Sequence, residues 1–220
     1  MALTEEEFQQ RVAELALHAS AADNFLLAGG KALQAHGLSG RPTQDIDLFT
    51  NQHDLEKFEL ATDAVVSSLR HEGYNVVENL RNPGFARLEA VDEGTGMKVE
   101  IDLGIDWRSD SDGVLLPIGG VLSKDDVVAS KTLALFGRAY ARDLIDFDSI
   151  LRSGLYDLPG LFVLAQEHDP GFDPRYFADA LKAASRHGYR EVMRYGLSLE
   201  QWQTITDRMV KIADDIMREL

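Results

Sequence analysis

The residues most able to do chemistry in this 220-residue chain are carboxylates in two short runs. In DIDLF, residues 45–49, Asp45 and Asp47 stand two apart, so in a β-strand both leave one face while Ile46 and Leu48 leave the other. MKVEIDL, residues 97–103, repeats the pattern: Lys98, Glu100 and Asp102 share a face opposite Val99, Ile101 and Leu103. If the two strands are neighbours, three or four carboxylates converge and repel one another. A divalent cation relieves that repulsion. Mg²⁺ takes hard oxygen ligands, characteristically a few carboxylates plus substrate phosphates, and two such ions can clamp an in-line phosphoryl displacement.

A bare D-x-D is common by chance. What gives this one weight is its context. NFLLA, residues 24–28, is a short apolar strand that runs into Gly29-Gly30 and a short helix closed by Gly37. A strand-to-helix glycine turn points backbone N–H groups outward and can cradle phosphate. AGGKAL is not a P-loop, because Phe25 stands where the first glycine belongs and Ala32 replaces the Ser/Thr. His168-Asp169 runs into Pro170-Gly171 and is expected in a loop. The six histidines show no ligand spacing, so His168 is expected at the surface.

The elements that must position these groups change character along the chain. Thr4 and Glu7 form a capping box ahead of a helix with Phe8, Val12, Leu15 and Leu17 on one stripe. Residues 53–72 make an amphipathic helix. Strands follow at 74–80, 85–91 and 97–103, separated by the turn sequences Asn82-Pro83-Gly84 and Asp92-Glu93-Gly94. Beyond about residue 120 the pattern is helical. Ser123 with Asp126 can cap a helix through VVASKTLALFGRAYA, RDLIDFDSILRSG continues it or begins another, residues 174–187 form a helix stopped by Gly188, and Ser198 with Gln201 caps the last one. The fold class is therefore α+β: a small mixed sheet with flanking helices, followed by a helical C-terminal region. The domain expectation is 1–120 and 121–220.

Charge divides the same way. Residues 1–120 hold 9 Lys+Arg and 21 Asp+Glu, against 13 and 16 in residues 121–220, for a net charge of −15. Such a chain does not coat nucleic acid non-specifically. No apolar run approaches the ~18 residues of a membrane span. The acidic start MALTEEEFQQ is unlike a signal or transit peptide. No cysteine is present, which removes disulfides and thiol catalysis and agrees with a cytoplasmic setting.

Cations recur at Lys131, Arg138 and Arg142, with Leu135 between, at helical spacing; a row of positive charge suits a triphosphate, or pairs with Asp125, Asp143 or Asp146. Arg142-Asp143 is a candidate structural ion pair. Arg41 either touches substrate phosphate or pairs with Asp45, and Thr43 bonds the turn. Lys182, Arg186, Arg190 and Arg194 would form a basic stripe on a continuous helix, but Gly188 interrupts it. Phe177 and Trp202 are assigned to the core.

LLAGGKALQAHGL and RPTQDIDLF, followed by SKDDVVASKTLALFGRAYARDLIDFDSIL, resemble the AbiEii-type toxin nucleotidyltransferases of the DNA polymerase β-like nucleotidyltransferase superfamily. The resemblance covers residues 20–155; residues 156–220 match only in being helical. It implies that Asp45, Asp47 and Asp102 bind Mg²⁺ in a two-ion site, with Asp102 also assisting the base. It further implies that Gly29 and Gly30 hold the triphosphate, that Lys131 contacts phosphate, and that Lys31, Arg41, Arg138, Arg142, Asp143 and Asp146 belong to the substrate site. Gly29-Gly30 stands where many members have Gly-Ser, and Lys31 replaces a smaller residue. The implied activity moves NMP from an NTP onto an acceptor hydroxyl, on a tRNA 3′ end or a protein, in a toxin–antitoxin pair with an antitoxin partner. The alternatives are a nucleotide-binding regulatory module without turnover and an aminoglycoside-type nucleotidyltransferase, to which the acidic first half would draw a cationic substrate.

Overall fold

A computed structural model describes residues 3–109 and 112–219. The chain divides into two compact units. One comprises Met1–Ala35 and Thr43–Ser123; the other comprises His36–Pro42 and Lys124–Leu220. The helical unit thus takes a seven-residue excursion from the first half of the chain as well as the C-terminal half.

The first unit begins with α1, Glu5–Ser20. Thr4 Oγ1 accepts from the Glu7 amide, and the Glu7 carboxylate accepts from the Thr4 amide, which satisfies two of the helix's orphan donors. β1 (Leu26–Ala28) leads into α2 (Gly29–Ala35), and β2 (Asp45–Thr50) precedes α3 (Leu55–His71). The hairpins β3 (Asn75–Asn82), β4 (Phe85–Val91) and β5 (Lys98–Ile105) follow, then β6 (Val114–Leu116) and β7 (Gly119–Val121). The seven strands order as β3-β4-β5-β2-β1-β7-β6. The β2–β5 and β1–β7 pairs are parallel and the others antiparallel, so the sheet is mixed as expected. Burial alternates along β2 and β4, with Ile46, Leu48, Ala86 and Leu88 fully buried. α1 and α3 pack on each other and on the sheet, contributing Phe8, Val12, Phe58, Val65 and Leu69 to the core.

The β6–β7 hairpin is absent from the sequence reading, which placed only a domain boundary after residue 120. Its strands are three residues each, and β7 reads Gly-Gly-Val. Nothing local favours a strand there; the pairing of Val121 with Leu27 supplies it.

In the second unit, α4 (Lys124–Arg138) and α5 (Ala141–Arg152) are separate helices. Ala139 sits at φ 49, a left-handed conformation that ends α4. Arg142 therefore does not continue the row of Lys131 and Arg138 on one helix. α6 (Leu158–His168) falls in the stretch expected to be helical, although the sequence reading set no bounds for it. Asp157 caps the helix by accepting from the Gly160 amide, and Pro159 in the first turn loses no bond. α7 (Pro174–Lys182) gives way to a 3₁₀ turn over Ala183–Arg186, short of the expected 187. α8 (Tyr189–Val192) is one turn, and α9 (Leu199–Glu219) starts at the anticipated cap, where Ser198 and Gln201 exchange hydrogen bonds. Lys182, Arg186, Arg190 and Arg194 thus share no continuous helix. Phe136, Phe147, Phe162, Phe172 and Phe177 form the aromatic core, with ring centroids 5.1–5.5 Å apart. Phe177 and Trp202 are buried, as assigned.

His168 corrects a sequence expectation. Its side chain is buried, not at the surface: one ring nitrogen lies 3.0 Å from the Leu164 carbonyl and the other 2.9 Å from Asp126 Oδ1. α6 extends to this residue and packs on α4, so the histidine meets a carboxylate that is itself fully buried. Asp126 serves that contact within α4.

Candidate functional site

Parallel pairing of β2 and β5 puts Asp45 beside Glu100 and Asp47 beside Asp102. All four occupy the half-exposed face of the sheet, while Ile46, Leu48, Ile101 and Leu103 fill the buried face. The register therefore brings together the three carboxylates expected from sequence, Asp45, Asp47 and Asp102.

β1 pairs antiparallel with β2, placing Ala28 opposite Asp47. The next residue, Gly29, has φ 61, and a Cβ built there would lie 1.7 Å from Asp47 Oδ2. Only glycine permits this approach, for two independent reasons: the left-handed backbone and the carboxylate occupying the side-chain position. Gly30 continues α2 and is buried. The strand–glycine–helix turn thus abuts the second carboxylate directly.

Arg87 is the site residue that sequence reasoning missed. On β4 it faces Asp102 across the antiparallel register. Its guanidinium donates to both Asp102 oxygens, at 2.7 and 2.6 Å, and lies 3.4 Å from Glu100. Hydrogen bonding to Asp102 pushes Arg87 further above its ordinary value, outweighing the opposing effect of burial, so it remains a cation. The signal was present: counting outward from the Asp92–Gly96 turn along alternating strands brings residue 87 opposite 102.

Asp45 and Asp47 offer hard oxygen donors two residues apart beside the glycine turn, the donor chemistry that Mg²⁺ requires. Asp102 already accepts two N–H bonds from Arg87. Among the described residues, no three His, Asp or Glu side chains are gathered tightly enough to form a ready ligand set. The donors fit a hard divalent ion that completes its shell with substrate oxygens rather than one caged wholly by protein.

Lys31 is buried, and its ammonium donates to Gln9 Oε1 on α1 at 2.9 Å. Burial lowers its pKa; Glu6 and Asp45 act in the other direction. Thr43 lies 3.5 Å from Gln34 Oε1.

The remaining expected residues lie in the helical unit. Arg41 donates through Nε and Nη2 to the two oxygens of Asp146, at 2.9 and 3.0 Å. Asp146 is thus its bidentate partner, where the sequence had suggested substrate phosphate or Asp45. Lys131 Nζ lies 2.9 Å from the same Asp146. Side-chain exposures are 7% for Arg41, 9% for Lys131 and 0% for Asp146, so the cluster is internal. Burial alone would raise the Asp146 pKa, but Lys131 and Arg41 outweigh it and hold the carboxyl below its ordinary value. Asp143 is likewise fully buried. It accepts from Arg138 Nε and Nη2 at 2.9 and 3.0 Å and from the Tyr140 amide. Arg138 is thus a structural partner of Asp143. The Arg142 guanidinium lies 6.0 Å from the Tyr140 ring centroid.

No helix among the described residues is long and apolar enough to cross a membrane. No curated protein matches the sequence. Two solved structures share the fold over nearly the whole length. JHP933 from Helicobacter pylori has a TM-score of 0.52 at 17% identity, covering 100% of this chain and 95% of its own. A candidate nucleotidyltransferase from H. pylori has a TM-score of 0.52 at 18% identity, covering 99% and 97%. The model of the family described as nucleotidyl transferase AbiEii toxin, type IV toxin–antitoxin system, matches residues 12–218, extending the resemblance through the helices after residue 155. The glycine turn against Asp47, the paired carboxylate strands and this match over residues 12–218 together make the chain a nucleotidyltransferase of the AbiEii toxin family.

Proposed function

We propose that the protein moves NMP from an NTP onto an acceptor hydroxyl with Mg²⁺, as the toxin of a toxin–antitoxin pair. The observation that carries this reading is the register that sets Asp47 beside Asp102 with Gly29 pressed against Asp47. The acceptor is the 3′ end of a tRNA or a protein hydroxyl, and a cognate antitoxin is the implied protein partner.

Asp45 and Asp47 would hold the metal, with Asp102 as the third carboxylate in a two-ion arrangement. Bound there, Mg²⁺ would neutralise triphosphate charge and lower the acceptor's pKa. The chain's own contribution is positioning. The Gly29-Gly30 turn supplies backbone donors at the start of α2 for the phosphates. Arg87 fixes the orientation of Asp102 and balances one of the clustered negative charges. The acceptor oxygen bonds to the α-phosphorus, the bridging P–O bond to the β-phosphate breaks, pyrophosphate leaves with that electron pair, and the acceptor proton passes to solvent. Within the helical unit, Asp146 holds Lys131 and Arg41, and Asp143 holds Arg138.

Incubating the purified chain with each labelled NTP and total RNA, protein extract or an aminoglycoside tests this directly. Label on RNA or protein together with pyrophosphate release is the expected result. Calorimetric NTP binding without label on any acceptor would overturn it in favour of a binding module, and label on the aminoglycoside alone would redirect the substrate class.

A further inference from the structure

The N-terminal half of α1, α2 and the loop joining β6 to β7 line an open cavity of about 320 Å³ within the sheet unit. That volume lies in the range of about 300–1,000 Å³ usual for small-molecule sites. Its wall has two characters. Leu116, Pro117 and Ile118 form one apolar stretch, while Glu6, Gln10, Lys31 and Gln34 bring carboxylate, amide and ammonium groups. A flat heteroaromatic ring, apolar on its faces and hydrogen-bonding at its edge, matches both.

Lys31 makes the cavity more than a crevice. The residue is 8% exposed, and among the described residues its ammonium makes one hydrogen bond, to Gln9. An ammonium has three donors. Two remain to face the cavity, where an acceptor brought by a ligand can take them. Lys31 also follows directly on Gly30, in the helix whose first residue touches Asp47, and it is within electrostatic reach of Asp45. The cavity therefore adjoins the end of α2 that meets the carboxylates.

We propose that this cavity seats the base of the incoming nucleotide, with Lys31 donating to a carbonyl oxygen or ring nitrogen on the base edge and Gln34 reading the same edge. This rests on the nucleotidyl-transfer reading and specifies which part of the NTP Lys31 contacts: the base and not the triphosphate. Lys31 and Gln34 are then the residues that set nucleotide preference.

The four free nucleosides test the site without phosphate, Mg²⁺ or turnover. With methyl-labelled protein, at least one nucleoside should shift the Leu116 and Ile118 methyl resonances. Lys31→Met should weaken that binding on the order of ten-fold. In the transfer assay the same variant should raise KM more than it lowers kcat and reorder the four NTPs. Gln34→Ala, which leaves the Lys31–Gln9 bond in place, should reorder them to a smaller degree, and thermal melts report whether each variant is folded. The proposal is overturned if no nucleoside moves those methyls, or if both folded variants keep the wild-type order of the four NTPs. Nucleoside binding in a protein that transfers nothing upholds the base seat and removes the catalytic reading; transfer with silent methyls does the reverse.

Discussion

The two units use the same residue types to opposite ends. On the sheet, Asp45, Asp47 and Asp102 lie on a half-open face, where Asp102 pairs with Arg87, an arginine that is 41% exposed. In the helical unit, Arg41, Lys131 and Asp146 are closed off from solvent and satisfy one another. An aspartate in a family motif therefore does not declare its task by type or position. Its surroundings do: an open carboxylate can take a ligand, whereas a buried one already paired with two cations holds its own helices together. Removing the first kind should cost chemistry, and removing the second should cost the fold.

The largest effect should come from Asp146→Ala. It leaves Arg41 and Lys131 buried without their counter-ion, and breaking such a cluster costs about 3–5 kcal/mol, read as a lower urea midpoint. Its pH dependence sharpens the point. The folded pKa of Asp146 lies below its unfolded value of about 3.9. The stabilisation is thus fully present above that value and lost as pH falls through the folded pKa. Wild type should lose stability across this acid range more steeply than Asp146→Asn; parallel curves would break the contrast.

Asp47→Asn should reduce transfer about 10³-fold, comparable to losing a principal charge-stabilising group, while melting stays near wild type. If it unfolds the protein instead, the sheet carboxylates are structural too. Gly29→Ala is next. It forces a methyl into the space of Asp47 Oδ2, and displacing a reacting group by about 1 Å can cost about 10²-fold. Retained activity would show that Asp47 is not held by that turn. The smallest effect on stability is expected for Arg87→Gln, no more than about 1 kcal/mol for a half-open pair. Transfer should fall with it, because Asp102 loses its orientation.

The parts of the fold legible in the sequence were those whose signal is local. Alternation in DIDLF and MKVEIDL gave the faces of both strands, and Thr4/Glu7 and Ser198/Gln201 gave helix starts. What escaped depends on distant partners. β7 is a strand because Leu27 pairs with Val121, not because Gly119-Gly120 prefers extension. Arg41 is buried because Asp146, 105 residues on, accepts it. His168 looked solvent-bound until α6 carried it to Asp126. At the site, the carboxylates were visible as a pattern, but their balance by Arg87 required knowing which strand lies next to β5. Lys31 stood out by type, while the cavity it lines is assembled from three separated segments.

The excursion of residues 36–42 into the helical unit has a consequence for how the protein is made. On the ribosome Arg41 emerges long before Asp146 exists, so the nascent sheet unit carries a tether whose anchor has yet to be translated. A fragment starting near residue 121 would lack Arg41 and leave Asp146 with Lys131 alone. The C-terminal half can complete its interior only after the first half has donated a piece of itself, which couples the biogenesis of the two units even though each has its own core.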